Sequence, residues 1–432
     1  MISAALPPPR LQLRCSECAA AQSEAGPAVF CGACGGLLAF ELEPSAQFDA
    51  ALYRRVLSQR RSSNAVADRS GVWRFRELLP PIATNDVVSL REGDAPLYEA
   101  HRGADYAGAQ RVRYLHLGMN PTASFKDFGM TVAVSHARAR GARVAVCAST
   151  GNTSASMAAY AARAGMTAVV LVPDRGISEA KLAQTLDYGA RVVAIGGDFD
   201  AALEIVRSLD PRRFAIVNSV NPLRIEGQKT TALVLAESSD WRVPDWVILP
   251  GGNLGNSSAL GKGFREAQAL GLIDRIPRIA VVQAAGAAPF VRAFETGEEL
   301  VPLHAETSAT AIKIGAPASW RKSLAEVRAS DGIVIAVSDA EIADARAIIG
   351  ADGIGCEPAS AASLAGLRVL LERKIVAPND DVVLLLTGHM LKDTAYAASY
   401  HASRAQFANA IAHVADADEA RKHLDRLFES AR

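Results

Sequence analysis

From about residue 112 onward, short β-branched runs alternate with alanine-rich helical stretches. The apolar runs fall at 144–147, 168–172, 192–195, 246–249, 279–282, 333–337 and 382–386. Strands covered by helices on both faces read as continuous apolar runs, so this rhythm predicts α/β architecture with open, mostly parallel sheets. It has more strands than one mononucleotide-binding sheet needs. The expected catalytic region, 45–432, therefore holds two α/β subdomains with a cleft between them. A connector with the clusters Val72-Trp-Arg-Phe75 and Leu79-Pro-Pro-Ile82 packs onto it, and the tail beyond Tyr400 reads as a charged helix.

Residues 1–44 break the rhythm. Cys15-x-x-Cys18 and Cys31-x-x-Cys34 stand twelve residues apart, a spacing that can gather four thiolates around one structural Zn²⁺. In a reducing compartment zinc is favoured over two disulfides, the other reading being a degenerate ribbon without metal. Cys147 and Cys356 lie in apolar contexts and read as core residues.

Half of the residues are apolar, enough for a large core, and 46 basic side chains balance 46 acidic ones. No basic field argues for nucleic acid or an anionic membrane surface, so any bound phosphate must be caught by local geometry. The Pro-rich first fourteen residues lack the layout of a signal peptide, and no apolar run is long enough to span a bilayer. A cytoplasmic protein is expected.

Three strand ends carry candidate chemistry. After 144–147 comes Ala148-Ser-Thr-Gly-Asn-Thr-Ser154, where Ser149, Thr150, Asn152 and Thr153 crowd a helix start that needs only one of them as a cap. After 246–249 comes Pro250-Gly-Gly-Asn-Leu-Gly-Asn256, whose glycines can turn successive N–H groups into an anion nest at a helix N-terminus. It is neither a dinucleotide fingerprint nor a Walker loop, because Lys262 lies too far along the following helix. After 382–386, Thr387 stands where its hydroxyl could meet a pyridine nitrogen or simply cap a helix, while His389 reads as structural. Lys126, in Asn120-Pro-Thr-Ala-Ser-Phe-Lys-Asp127 before a helical run ending near Arg140, is the candidate nucleophile. A desolvated lysine pairs with the aldehyde of pyridoxal phosphate.

These motifs together resemble the threonine synthase family of fold-type II pyridoxal-phosphate enzymes. The resemblance runs through Pro121-Thr-Ala-Ser-Phe-Lys-Asp127, the 148–154 loop, Asn218-Ser-Val-Asn-Pro-Leu-Arg-Ile-Glu-Gly-Gln-Lys-Thr230, the 251–256 loop, Ala309-Thr-Ala-Ile-Lys-Ile-Gly315, Glu357-Pro-Ala-Ser-Ala-Ala362 and Thr387-Gly-His389, in unbroken order. It implies that Lys126 joins the cofactor covalently and that Asn152 bonds its 3′ oxygen. Gly251, Gly252, Asn253, Leu254, Gly255 and Asn256 would hold the cofactor phosphate, and Thr387 its ring nitrogen. The implied substrate is O-phospho-L-homoserine, its phosphate held by Ser149, Thr150, Thr153, Asn218, Ser219 and Arg224, and the products are L-threonine and phosphate. A homodimer is the expected assembly. A salt bridge to Glu226 is the competing use of Arg224. Three positions depart from the family pattern: Ala123 and Met390 replace glycines, and Phe128 stands where many members have arginine. Rival readings are another synthase or a serine/threonine dehydratase on the same scaffold, and a zinc-ribbon binding protein with an inactive enzyme body.

Overall fold

The computed structural model describes residues 8–23, 29–44, 47–174, 179–197, 199–403 and 405–430. Their twelve strands are β1 (Arg10–Cys15), β2 (Leu38–Glu43), β3 (Leu97–Glu99), β4 (Arg111–His116), β5 (Val144–Ala148), β6 (Thr167–Pro173), β7 (Arg191–Ile195), β8 (Ala215–Ile216), β9 (Trp246–Pro250), β10 (Arg278–Ala284), β11 (Ile333–Val337) and β12 (Asp381–Leu386). All seven expected runs are strands, β5 to β7 and β9 to β12. They divide between a six-stranded sheet ordered β11-β10-β9-β12-β4-β3 and a four-stranded one ordered β7-β6-β5-β8. Every pairing in the two is parallel except β3 with β4. The fold is α/β with two open, mostly parallel sheets, as expected.

Parallel order follows from burial. In β9 all five residues are buried, as are five of the six in β12, so neither face can be left to water. The carboxyl ends of β5, β9 and β12 carry the three loops singled out in the sequence.

Helices Lys126–Ala139, Pro222–Ser238 and Gly255–Ala269 pack in succession behind those loops. The first two touch through their backbones, since a Cβ on Gly227 would lie 2.0 Å from the Phe128 carbonyl oxygen. Between the second and third lies a buried charge cluster: Glu226 and Glu266 each pair with both Lys229 and Lys262. Lys262 also donates to the Phe40 carbonyl at 2.5 Å, and Lys322 to that of Leu38 at 2.9 Å, so two lysines of the body fasten β2. Strand β2 pairs antiparallel with β1, bringing the two cysteine pairs together.

The residues up to Lys392 form one compact unit, and those from Asp393 onward a second. Within the second, helices Thr394–His401 and Ala417–Ser430 are described, and the latter exposes Leu424, Leu427 and Phe428.

Candidate active site

The lysine loop is held from two sides. Its backbone zips against the end of β12, with Phe125 N–H donating to Thr387 O at 2.9 Å and His389 N–H to Ala123 O at 3.0 Å. Beneath it, the Asp127 carboxylate accepts from the Thr122 N–H (2.8 Å), the Thr122 hydroxyl (2.5 Å) and the Ser156 hydroxyl (2.6 Å). Burial still pushes the Asp127 carboxyl up to about 6. Lys126 is thereby fixed as the first residue of its helix.

Its side chain is half-buried by area, and its ammonium lies over the Phe125 ring, 3.7 Å from the centroid, with protein packed around it. That burial, then the Arg224 guanidinium, pushes its amine down to about 7, against the opposing pull of Glu357. The helix N-terminus acts in the same sense as Arg224. Near neutral pH a large share of this amine is uncharged and can attack a carbonyl carbon.

Ala123 sits at φ +64°, in the left-handed region where a Cβ is disfavoured. We expect Ala123→Gly to stabilise the protein by about 0.5–1 kcal/mol, read as a higher denaturant midpoint. A lower midpoint would show that the alanine methyl earns its place by packing. Met390 lies against Gly355, where a Cβ would fall 2.2 Å from the methionine sulfur. The missing side chain at 355 makes room for it, and the bridge from His389 to Cys356 forms beside it.

At the end of β5, Gly151 precedes helix Asn152–Ala164 and a Cβ there would meet nothing within 4 Å, so this wall opens onto space. Ser149 accepts from the Gly151 N–H at 3.2 Å, while Thr150 and Thr153 are partly exposed at the same rim. Asn152 donates through Nδ2 to Glu357 Oε2 at 2.9 Å.

In the 251–256 loop the left-handed residue is Leu254 (φ +63°), not a glycine. Gly251 serves close approach instead: a Cβ there would lie 2.6 Å from Val281 Cγ1. Asn253 is committed to the scaffold, donating to the Ser219 hydroxyl and accepting from the Ala318 N–H. Asn256, on the first turn of the following helix, is buried with neither amide atom bonded. An idle buried amide costs stability unless a ligand uses it, so this helix start fits the phosphate of a cofactor.

Arg224 is 1 % exposed, donates to the Val217 carbonyl at 3.1 Å and leaves Nε unbonded. The salt bridge to Glu226 does not form, because Glu226 is taken up by Lys229 and Lys262. Among the described residues no carboxylate pairs with Arg224, and burial lowers the guanidinium to about 10. A buried, uncompensated cation is costly, and a ligand anion would relieve it. Asn218 is differently occupied than expected: its amide spans both backbone groups of Ala148, Nδ2 to the carbonyl (3.1 Å) and Oδ1 from the N–H (3.3 Å). It continues the pairing of β8 with β5 and keeps one amide hydrogen to offer.

Two polar side chains given no role by the sequence stand in the same cleft. Ser360 bonds the Thr387 hydroxyl at 3.0 Å and accepts from the N–H groups of Thr387 (2.8 Å) and Gly388 (3.0 Å). Glu357 reaches Asn152 and, at 3.4 Å, Thr387. Both belong to the Glu357-Pro-Ala-Ser motif, whose polar residues next to a helix start were the available signal.

At the N-terminal hairpin the sulfurs of Cys15, Cys18, Cys31 and Cys34 all lie within 4.8 Å of one another. Sulfurs around a tetrahedral zinc at about 2.3 Å stand about 3.8 Å apart. Here Cys15–Cys34 is 3.5 Å and Cys18–Cys31 is 3.7 Å. The N–H groups of Glu17, Ala33 and Gly36 point at these sulfurs from 3.4 Å, an arrangement that favours thiolates. The set can hold one zinc ion with no open position.

Residues 88–388 match the family of pyridoxal-phosphate dependent enzymes. Threonine synthase of Synechocystis is 47% identical over 77% of this chain and 85% of its own. That of Methanosarcina acetivorans is 41% identical over 88% of this chain and 92% of its own. Among solved structures, threonine synthase of Escherichia coli superposes with a TM-score of 0.69 over 98% of this chain and all of its own, at 19% identity, a likeness of fold.

Proposed function

The chain belongs to the pyridoxal-phosphate dependent enzymes and, within them, to the threonine synthases, and from that membership we propose that it converts O-phospho-L-homoserine and water to L-threonine and phosphate. The observation that carries the substrate reading is Arg224, a buried cation with no carboxylate partner among the described residues, carried by a different helix from Asn256. Two separate anion sites suit a phosphorylated cofactor and a phosphorylated substrate.

Pyridoxal phosphate, when bound, supplies the electron sink for chemistry at the amine-bearing carbon. In our reading Lys126 holds its aldehyde carbon, Asn152 its 3′ oxygen, residues 251–256 its phosphate and Thr387 its ring nitrogen. The Lys126 amine would take the proton from the substrate Cα and move protons at Cβ and Cγ. Arg224, with Ser149, Thr150, Thr153, Asn218 and Ser219, holds the substrate phosphate until it leaves from Cγ, and water adds at Cβ. A hydroxyl partner leaves the ring nitrogen largely unprotonated, so placement of Lys126 carries more of the catalysis. A dehydratase acting on free serine or threonine would have no use for Arg224. Turnover of O-phospho-L-homoserine should therefore exceed that of homoserine, serine and threonine by at least about tenfold. A preference for free serine would move the chain to the dehydratase reading.

We further propose that Cys15, Cys18, Cys31 and Cys34 bind one structural zinc, supported by the sulfur separations. Metal analysis of the purified protein should find about one zinc per chain. Its removal should loosen the hairpin and lower the melting temperature. Activity abolished by chelation at unchanged stability would contradict a structural role. The proposed setting is a cytoplasmic homodimer without nucleic-acid or membrane partner. The balance of 46 basic and 46 acidic side chains supports the lack of a nucleic-acid or anionic-membrane partner, and among the described residues no helix is long and apolar enough to cross a membrane.

A further inference from the structure

Glu357 immediately precedes helix Pro358–Glu372, the place of an N-cap, yet its side chain makes no capping bond. It turns into the cleft, 5 % exposed. There it joins two walls: Asn152, which starts the helix after β5 of the four-stranded sheet, and Thr387, which follows β12 of the six-stranded sheet. A Cβ on Gly388 would fall 2.3 Å from the Glu357 carboxyl carbon, so a side chain there would displace this carboxyl. The motif thus keeps a space clear for this carboxyl.

Two consequences follow from hydrogen-bond chemistry. An ionised carboxylate only accepts, so Asn152 must present its NH2 to Glu357, which leaves the second N–H of that nitrogen for a ligand oxygen. Ser360 accepts from two backbone N–H groups, so its own hydrogen is free for Thr387 Oγ1, and the Thr387 hydrogen points to Glu357 Oε1 at 3.4 Å, a long bond that a ligand acceptor can replace. The ionisable groups facing Glu357 are Lys126, Lys392 and the Cys356 thiol, and Arg224 faces Lys126 from helix Pro222–Ser238. Burial raises the Glu357 carboxyl, while Asn152, the two lysines and Thr387 favour its anion.

We propose that Glu357 is a positioning residue of this active site: it orients the Asn152 N–H toward the cofactor's 3′ oxygen and supplies the negative charge that favours the protonated form of the Lys126 nitrogen. This rests on the cofactor reading above and adds a residue to it.

The test uses the cofactor-loaded protein as wild type, Glu357→Gln and Glu357→Ala. Two quantities are read: the pH midpoint of the bound cofactor's visible absorption, and the affinity for pyridoxal phosphate by fluorescence titration. Loss of the negative charge should lower the midpoint by about one unit in both variants. Affinity should fall by about tenfold in Glu357→Ala and less in Glu357→Gln, which keeps an acceptor for Asn152. A purely structural residue would weaken affinity and leave the midpoint in place, so an unmoved midpoint in Glu357→Gln overturns the proposal. If that variant holds too little cofactor, the pH dependence of Lys126 acylation in its apoprotein gives the same reading: a lowered midpoint supports the proposal and an unchanged one overturns it. A wild type that takes up no pyridoxal phosphate overturns the cofactor reading itself, and this inference with it.

Discussion

Lys126→Ala leaves a folded protein that forms no borohydride-reducible link to pyridoxal phosphate and has lost at least about 10³-fold in turnover. Both effects have one origin, an amine pushed down to about 7 at the start of a helix that Asp127 and the end of β12 hold in place. The same displacement predicts a pH signature in the apoprotein. Between about 7 and the ordinary lysine value of 10.5, the unfolded chain binds a proton at Lys126 that the folded chain does not. Stability contributed by this residue therefore rises with pH across that window and is lowest at and below neutrality. The alanine variant should show a flatter dependence in denaturant midpoints measured from neutral to alkaline pH. A variant that still forms the reducible link would assign the reactive amine to another lysine.

Arg224→Met separates binding from stability. Losing a charged hydrogen bond costs about 1.5–3 kcal/mol, so kcat/KM on O-phospho-L-homoserine should fall by about ten- to a hundred-fold. Affinity for pyridoxal phosphate should hold, because its phosphate is assigned to the helix start at Asn256. The apoprotein should be no less stable and could gain, since the substitution removes a buried cation with an unbonded Nε and no carboxylate partner among the described residues. Without Arg224 the Lys126 amine should titrate higher, moving the acid limb of the rate profile up in pH. Equal loss of cofactor and substrate binding would mean that the two anion sites are interchanged. Unimpaired turnover would remove the substrate phosphate from the account.

The strand order of such a fold is not written in any one run, but the runs themselves are. Seven strands were legible because burial on both faces demands unbroken apolar residues. Strand β8 was not, since two residues, Ala215 and Ile216, carry no period. The glycine loop was legible as an anion site, while its geometry was not: Leu254 takes the left-handed turn, and Gly251 answers to Val281 on a neighbouring strand. A bridge from Arg224 to Glu226 was the competing reading of that arginine, but two apart on one helix the side chains point different ways. Helix packing gives Glu226 to Lys229 of its own helix and Lys262 of the next instead. Glu357 and Ser360 were visible only as parts of a motif, because their partners, Asn152 and Thr387, come from distant segments. Residue types marked the chemistry, and long-range contacts decided which groups were left free to perform it.

The most direct test of the central claim is to give the cofactor-loaded protein O-phospho-L-homoserine and to measure released phosphate and the product amino acid together. Phosphate and L-threonine appearing in equal amounts, with no 2-oxo acid or ammonia, is the result this account predicts. Phosphate release without threonine, or no release while free serine or threonine is deaminated, would contradict it.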